Sequence, residues 1–486
     1  MQTNRPQNGE ILYSLTDVPS VGHSTTAALQ HIMACFIGII TPTLIIGSVL
    51  GLQAEIPYLI SMALMTSGVS TFIQAKKFGP IGCGLIAVQG TSFTFISALL
   101  VAGTAIKSRG GSNEEIMALM FGLCFFGAFV EIVLSQFIQH LKAVITPLTT
   151  GIVITTIGIT LIKVGMTDLS GGFNAPDFGA PHNLILGLSV LVTVIALNAS
   201  KYPLLRLSAI FIGMLVGCII AWYQGILSFN NMLSSPLISI PEPFKYGVAF
   251  DWELFIPIAL VYFLSAIETS GDLTANSLFC KEPIKGPIYL KRIKGGILAD
   301  GINSMLAAMF NSFPNTTFGQ NNAVIQMTGV ASRHVGFYIA GFLVLLGVFP
   351  VVGSVLQLMP KPVLGGATLV MFATIAVAGV KILTSEPIDR RKSLIIATSL
   401  GLGLGVMMVP DTLAQLPQLA NNILSSSVTT AGFCAIIMSI AIPEPKPAVV
   451  EADIFEPQEP SLAPKYNQPA ATVLVGESPI NESEQR

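Results

Sequence analysis

Apolar stretches long enough to cross a bilayer as helix, about 17 to 25 residues each, recur along this chain from Ala27 to Ile442. They predict fourteen transmembrane segments, starting near Ala27, Ile56, Ile81, Ile116, Ile145, Asn183, Ser208, Leu254, Gly295, Thr317, Val335, Pro362, Lys392 and Val428. Apolar residues make up 52% against 10% charged, and the mean hydropathy is +0.73. A water-soluble fold has no interior for so much apolar surface, so the expected class is an all-α polytopic membrane protein.

Positively charged loops stay on the cytoplasmic side. With the N-terminus inside, the 24 Lys and Arg residues fall in inward-facing segments except Lys107, Arg109, Lys163, Lys245 and Lys361. Both termini are therefore expected in the cytoplasm, with the chain in the cytoplasmic (inner) membrane. No cleavable signal is visible, because the first 26 residues are polar and lead into a full-length span. Three parts are expected: a cytoplasmic N-terminal segment over 1–26, a membrane domain over 27–442, and a disordered cytoplasmic tail over 443–486, rich in Pro and acidic residues. The net charge of −2 gives no sign of a nucleic-acid partner, and the six scattered cysteines have neither C-x-x-C nor metal spacing.

Two sets of seven segments enter the membrane in opposite orientations, which is the parity that an inverted repeat needs. Under that pairing the third segment corresponds to the tenth, and these are the two whose apolar runs break. The third contains Val88-Gln89-Gly90-Thr91-Ser92-Phe93-Thr94, and the tenth contains Asn315-Thr316-Thr317-Phe318-Gly319-Gln320-Asn321-Asn322. Non-helical backbone at membrane depth survives only against protein or a wet cavity, so both breaks should face inward. The helix starting near Asn321 would aim its N-terminal N–H groups at the gap. The competing explanation is that small residues here merely let helices approach closely; that is the expected role of Gly401, Gly403 and Gly405.

The eighth segment carries Glu268 and Asp272, at i and i+4 on one helical face. A charge at mid-membrane costs about 2.5 to 3.5 kcal/mol on insertion scales, so this stripe must face a polar interior. The pair outlines a proton-coupling device. Asp300 in the ninth segment and His31 in the first are further intramembrane polar candidates, while the lone Glu131 reads as a helix tie. Gln320, Asn321 and a carboxylate together suit a small, nearly neutral, planar ligand with N–H and C=O groups, because an amide both donates and accepts and a carboxylate accepts only. Nucleobases fit that description, and Phe93 can offer a ring face.

These residues resemble the nucleobase-ascorbate transporter (nucleobase:cation symporter) family along nearly all of 10–442, most of all its bacterial xanthine permeases. The resemblance rests on Gln30-His31, Gln89-Gly90-Thr91-Ser92-Phe93, Glu268 to Asp272, and Phe318-Gly319-Gln320-Asn321-Asn322 with Thr328-Gly329. It implies a 7+7 inverted repeat with a core domain (segments 1–4 and 8–11) and a gate domain (segments 5–7 and 12–14). It also implies proton symport, no cofactor beyond the proton gradient, a lipid environment and a homodimer. By the same resemblance Glu268 and Gln320 hold the base, Asp272 is the proton site, Asp300 and His31 support coupling, and Asn321 shapes the site. Ala323 stands where the family signature has Gly, and Ser92 where some xanthine permeases have Asn. Xanthine is the expected substrate, with uric acid, another purine or uracil as alternatives. An anion exchanger of the same architecture is the second functional class; no nucleophile pattern points to an enzyme.

Overall fold

Most helices start at a side-chain cap or a proline, whereas α3, α8 and α11 start at neither. The computed structural model describes residues 11–138, 146–173, 175–227 and 238–442; the expected tail over 443–486 lies outside them. The first half comprises α1 (Val21–Leu50), α2 (Ile56–Lys76), strand β1 (Gln89–Thr91), α3 (Ile96–Ser108), α4 (Asn113–Phe137), α5 (Pro147–Leu169), α6 (Pro181–Asn198), α7 (Pro203–Leu207) and α8 (Ala209–Tyr223). The second half opens with α9 (Trp252–Phe279), α10 (Gly286–Met309), strand β2 (Asn315–Thr317), α11 (Gln320–Thr328), α12 (Arg333–Val348) and α13 (Val351–Leu358). It closes with α14 (Lys361–Leu383), α15 (Arg390–Met408), α16 (Gln418–Leu424) and α17 (Ser427–Ala441). Ser112 and Glu115 form a capping box at α4, as Thr146 and Thr149 do at α5, and Asp251 caps α9 through the N–H groups of Glu253 and Leu254.

Among the described residues eight helices are long and apolar enough to cross a membrane, or up to ten if each of two bent pairs counts as one span. The bends are 76° between α12 and α13 and 88° between α16 and α17. Three starts lie well away from the sequence expectation, one of them that of α3, which begins at Ile96 and not near Ile81. α1 begins at Val21, with Ser20 accepting from the His23 N–H, so the last residues of the expected N-terminal segment are helical. α10 begins at Gly286, because its first turns carry Lys291, Arg292 and Lys294 and are invisible to an apolar window; Arg292 is paired with Glu282 at 2.9 Å. The third and tenth apolar runs are each a short strand followed by a helix, and the strands meet. β1 and β2 run antiparallel, with Gln89 opposite Thr317, Gly90 opposite Thr316 and Thr91 opposite Asn315, all six residues buried.

Packing is pairwise and balanced between the halves. α2 lies on α12 while α10 lies on α4, and α6 lies on α14 while α15 lies on α5. α5 and α14 make the most extensive helix pair, through small residues that bring backbones together. A Cβ on Gly158 would stand 2.6 Å from the Ala376 Cα, one on Gly379 would stand 2.8 Å from the Thr155 Cα, and one on Gly151 would stand 2.9 Å from the Leu383 backbone nitrogen. Of Gly401, Gly403 and Gly405, Gly403 alone meets a neighbour, at Ala431 and Ser427; the other two border open space.

Gly158→Val should therefore force α5 from α14 and destabilise the protein by about 1 to 3 kcal/mol, the usual cost of overpacking. Thermal unfolding of the detergent-solubilised protein, followed by fluorescence-detected size exclusion, measures this. Gly401→Ala should leave the transition where it was.

Candidate functional site

The two breaks hold each other and are held by donors and acceptors from the helices around them. Beyond the strands, Phe318 N donates to Val88 O at 2.8 Å and Ser92 N to Pro314 O at 2.8 Å. Gln89 N donates to the Thr71 hydroxyl, Asn276 to the Ile86 carbonyl, and Asn315 exchanges hydrogen bonds with the Ser304 hydroxyl. Irregular backbone inside an apolar bundle thus finds its partners within the protein. The pairing also delivers Phe318, whose ring lies over Gly38 of α1 and Gly90 of β1, positions where any Cβ would overlap it. Phe93 stacks on Phe318 with ring centroids 6.4 Å apart and meets Phe372 of α14 edge-on at 5.7 Å.

Glu268 and Asp272 share one face of α9 as their spacing predicts, both half-buried, and each reaches a different break. The Glu268 carboxylate accepts from the Thr94 hydroxyl at 2.6 Å, at the end of the first break. Asp272 stands against Gly319, where a Cβ would come within 2.5 Å of its Oδ1. Gly319 is the N-cap of α11, which starts at Gln320, so Asp272 sits at the helix end whose N–H groups favour an anion. Asn322 donates its side-chain amide to the Asp272 backbone carbonyl at 3.3 Å. Gln320, next in the chain to Gly319, is half-buried, and Ser92 is buried with its hydroxyl accepting from Thr94 N.

Asp300 is different in kind. Fully buried, it accepts from Gln74 at 2.6 Å, from the Thr269 hydroxyl at 2.5 Å and from the Thr317 hydroxyl at 3.3 Å. Its carboxylate thereby joins α2, α9, α10 and β2, one residue from Glu268 on α9. His31 and Asn321, both fully buried, meet through Nδ1 and Nδ2 at 2.9 Å, which ties α1 to the first turn of α11. Ala323 is exposed, on the side of α11 away from the buried Asn321, Asn322, Val324 and Ile325, so its methyl does not press on that packed face. Thr328 returns its hydroxyl to the Val324 carbonyl, and Gly329 ends the helix in the left-handed region at φ 68°.

Glu131 is not a helix tie. It is fully buried in α4, and neither carboxyl oxygen meets a hydrogen-bond partner. The sequence reading also missed Thr94, Gln74, Thr269, Thr317 and Phe372. Gln74 carried a signal, a lone amide in the apolar run of α2, and Thr94 lies inside the first break; Phe372 looks like any lipid-facing phenylalanine.

Residues 22–412 match the sequence model of the Permease family. The chain belongs to this permease family. It is 45% identical over 445 residues to xanthine permease XanP of Escherichia coli (strain K12), covering 90% of this chain and 96% of that protein. It is 42% identical over 438 residues to xanthine permease XanQ of the same organism, covering 89% and 94%, and 31% identical over 447 residues to a xanthine permease of Bacillus subtilis (strain 168), covering 90% and 98%. The resemblance to nucleobase-ascorbate transporters is borne out, and this permease is a transporter, not an enzyme. Its multi-span apolar helices and bacterial relatives agree with a multi-pass inner-membrane protein. Among solved structures the transmembrane domain of the cyanobacterial bicarbonate transporter BicA is similar with a TM-score of 0.50 at 15% identity, covering 88% of this chain and 99% of that one. The murine anion transporter Slc26a9, in its inward-facing state, is similar with a TM-score of 0.56 at 15% identity, covering 87% and 69%. At such identities the likeness concerns the fold.

Gly319→Ala places a methyl group against Asp272 and should lower uptake about tenfold, an overpacking cost of ordinary size. Uptake normalised to protein in the membrane tests it, with Gly405→Ala, at an open position, as the unaffected control.

Proposed function

We propose that this permease imports a purine base, xanthine first, together with protons by alternating access. The observation that carries this reading is the placement of Glu268 and Asp272, one helical turn apart, each against one of two mutually paired breaks. Such a site offers a carboxylate acceptor, a neighbouring amide at Gln320 and the ring of Phe93, a set suited to a planar ligand with N–H and C=O edges. The xanthine permeases to which the chain is similar support the choice of base. A carboxylate pair in the centre of the site disfavours a small anion, although the solved neighbours carry anions.

In this reading Glu268 and Gln320 hold the base with Phe93 and Ser92 beside it, and Asn321 shapes the site. Asp272 carries the coupled proton, and Asp300 and His31 support coupling by fixing α9 and α11. Gly319, Asn322, Ala323, Thr328 and Gly329 belong to the motif that sets the helix. Fourteen segments form a 7+7 inverted repeat, with segments 1–4 and 8–11 as a core and 5–7 and 12–14 as a gate. The balanced packing supports it: exchanging each segment for its counterpart seven later turns the α2–α12 pair into α10–α4 and the α6–α14 pair into α15–α5. Both termini face the cytoplasm, no cofactor beyond the proton gradient is involved, and two copies associate as a homodimer in the lipid. Coupling requires that proton and base differ in affinity for the two orientations.

Cells lacking endogenous purine uptake and expressing the permease should accumulate radiolabelled xanthine, and a protonophore should abolish this. Unlabelled uric acid, guanine, hypoxanthine and uracil rank the alternatives; if uric acid competes best, it replaces xanthine, and absence of any base uptake at normal surface expression overturns the reading. Glu268→Gln should weaken base affinity about ten- to a hundredfold, the scale of one hydrogen bond to a charged group. Asp272→Asn should abolish accumulation driven by a pH gradient while binding survives; full accumulation would remove Asp272 from the coupling role.

A further inference from the structure

The segment ahead of α1 is built into the molecule, with Ile11, Tyr13 and Leu15 packed against the apolar core. Leu12 N and Tyr13 N both donate to the Gly329 carbonyl, at 2.7 and 3.2 Å, and Ala331 N donates back to the Tyr13 carbonyl at 2.9 Å. Arg333 N donates to the Leu15 carbonyl at 3.1 Å, and the Ser332 hydroxyl to the Asp17 carbonyl at 2.6 Å. Tyr13 and Val330 form a parallel β-bridge. A turn closes the segment, with Ser14 N donating to the Asp17 carboxylate at 2.7 Å, and the Tyr13 hydroxyl meets Nδ1 of His23 in the first turn of α1 at 2.9 Å. The loop receiving these bonds is all that separates α11 from α12.

α11 has nine residues, too few to hold helical form unaided. One of its ends carries Gly319, Gln320 and Asn321; the other is the Gly329 turn. The N-terminal segment binds that second end to the base of α1, the same helix whose His31 binds Asn321. Termini without such ties usually fray. We propose that residues 11–17 form a latch that positions α11, and with it Gln320 and Asn321, for base binding, and that the latch stays closed through the transport cycle. The function assigned to it rests on base transport as proposed above.

Leu12 permits a clean test, because its side chain is 55% exposed and its contribution is one N–H. Leu12→Pro removes that donor; Leu12→Ala keeps it. In the full-length protein Leu12→Pro should raise the apparent KM for xanthine about fivefold, the effect of one lost hydrogen bond, with maximal rate little changed and Leu12→Ala matching the unaltered protein. An unchanged KM in Leu12→Pro overturns the proposal whatever the rate does. A second measurement needs no folding tolerance to proline: in Tyr13→Cys/Val330→Cys an oxidant should form a cross-link and uptake should persist. Failure to cross-link, or uptake lost on oxidation and restored by a reductant, overturns the closed latch. Failure of the unaltered protein to take up xanthine would instead count against the substrate, which the cross-link does not depend on.

Discussion

Two stretches of non-helical backbone inside a bundle of apolar helices must find partners for their N–H and C=O groups, and each finds the other. The β1–β2 pairing occupies three residues on each side, yet most of the site follows from it. It sets the depth at which both α3 and α11 begin, so Thr94 and Gly319 arrive opposite the same face of α9. It carries Phe318 across α1, where Gly38 and Gly90 leave room for the ring, and the ring in turn seats Phe93. Lost pairing would leave several buried polar groups unsatisfied, at about 1 to 3 kcal/mol each, so the breaks are the one irregular feature that the bundle cannot rearrange cheaply.

The buried carboxylates divide according to their donors. Asp300, with three donor side chains converging on it, is saturated and acts as a fastener between four elements. Glu268 has one donor and is half-buried, which leaves acceptor capacity for a ligand. Asp272 faces a glycine at a helix N-terminus, a place that stabilises negative charge without saturating the oxygens. Saturation suits a fixed part, and spare capacity suits a group that must change partners or protonation state. That contrast separates Asp300 from the pair on α9 more sharply than proximity does.

Much of this was legible in the residues. The interruption at Val88–Thr94 and its counterpart at Asn315–Asn322 stand out because polar residues are costly in an apolar run, and the i, i+4 spacing of Glu268 and Asp272 puts both on one helical face. What escaped depends on contacts remote in sequence. Thr94 matters because Glu268, far along the chain, reaches it, and Gln74 because Asp300 does. The start of α10 escaped because charged first turns hide from a hydropathy window, and the docking of Leu12 and Tyr13 because backbone donors leave no mark on side-chain pattern.

The remaining physical contrast lies between the two sides of the site. On one side α9, α10, α2 and the breaks are joined by hydrogen bonds through Asp300, Glu268 and the strand ladder, which lose their geometry if the parts shift by an ångström or two. On the other, α14 touches the site through the edge of Phe372 on Phe93, and α5 approaches α9 through the methyl of Thr150, 2.6 Å from where a Cβ on Gly271 would lie. Beside the site these contacts are apolar, close and without direction, so they can slide with little loss; further along, the 2.8 Å hydrogen bond from Lys361 of α14 to Ser48 of α1 would have to break. α5 and α14 are themselves locked together by backbone approach at Gly151, Gly158 and Gly379, and so would travel as a unit. If the proposed cycle rocks one part of the permease against another, this seam is where the parts can separate at least cost, and it runs beside Asp272.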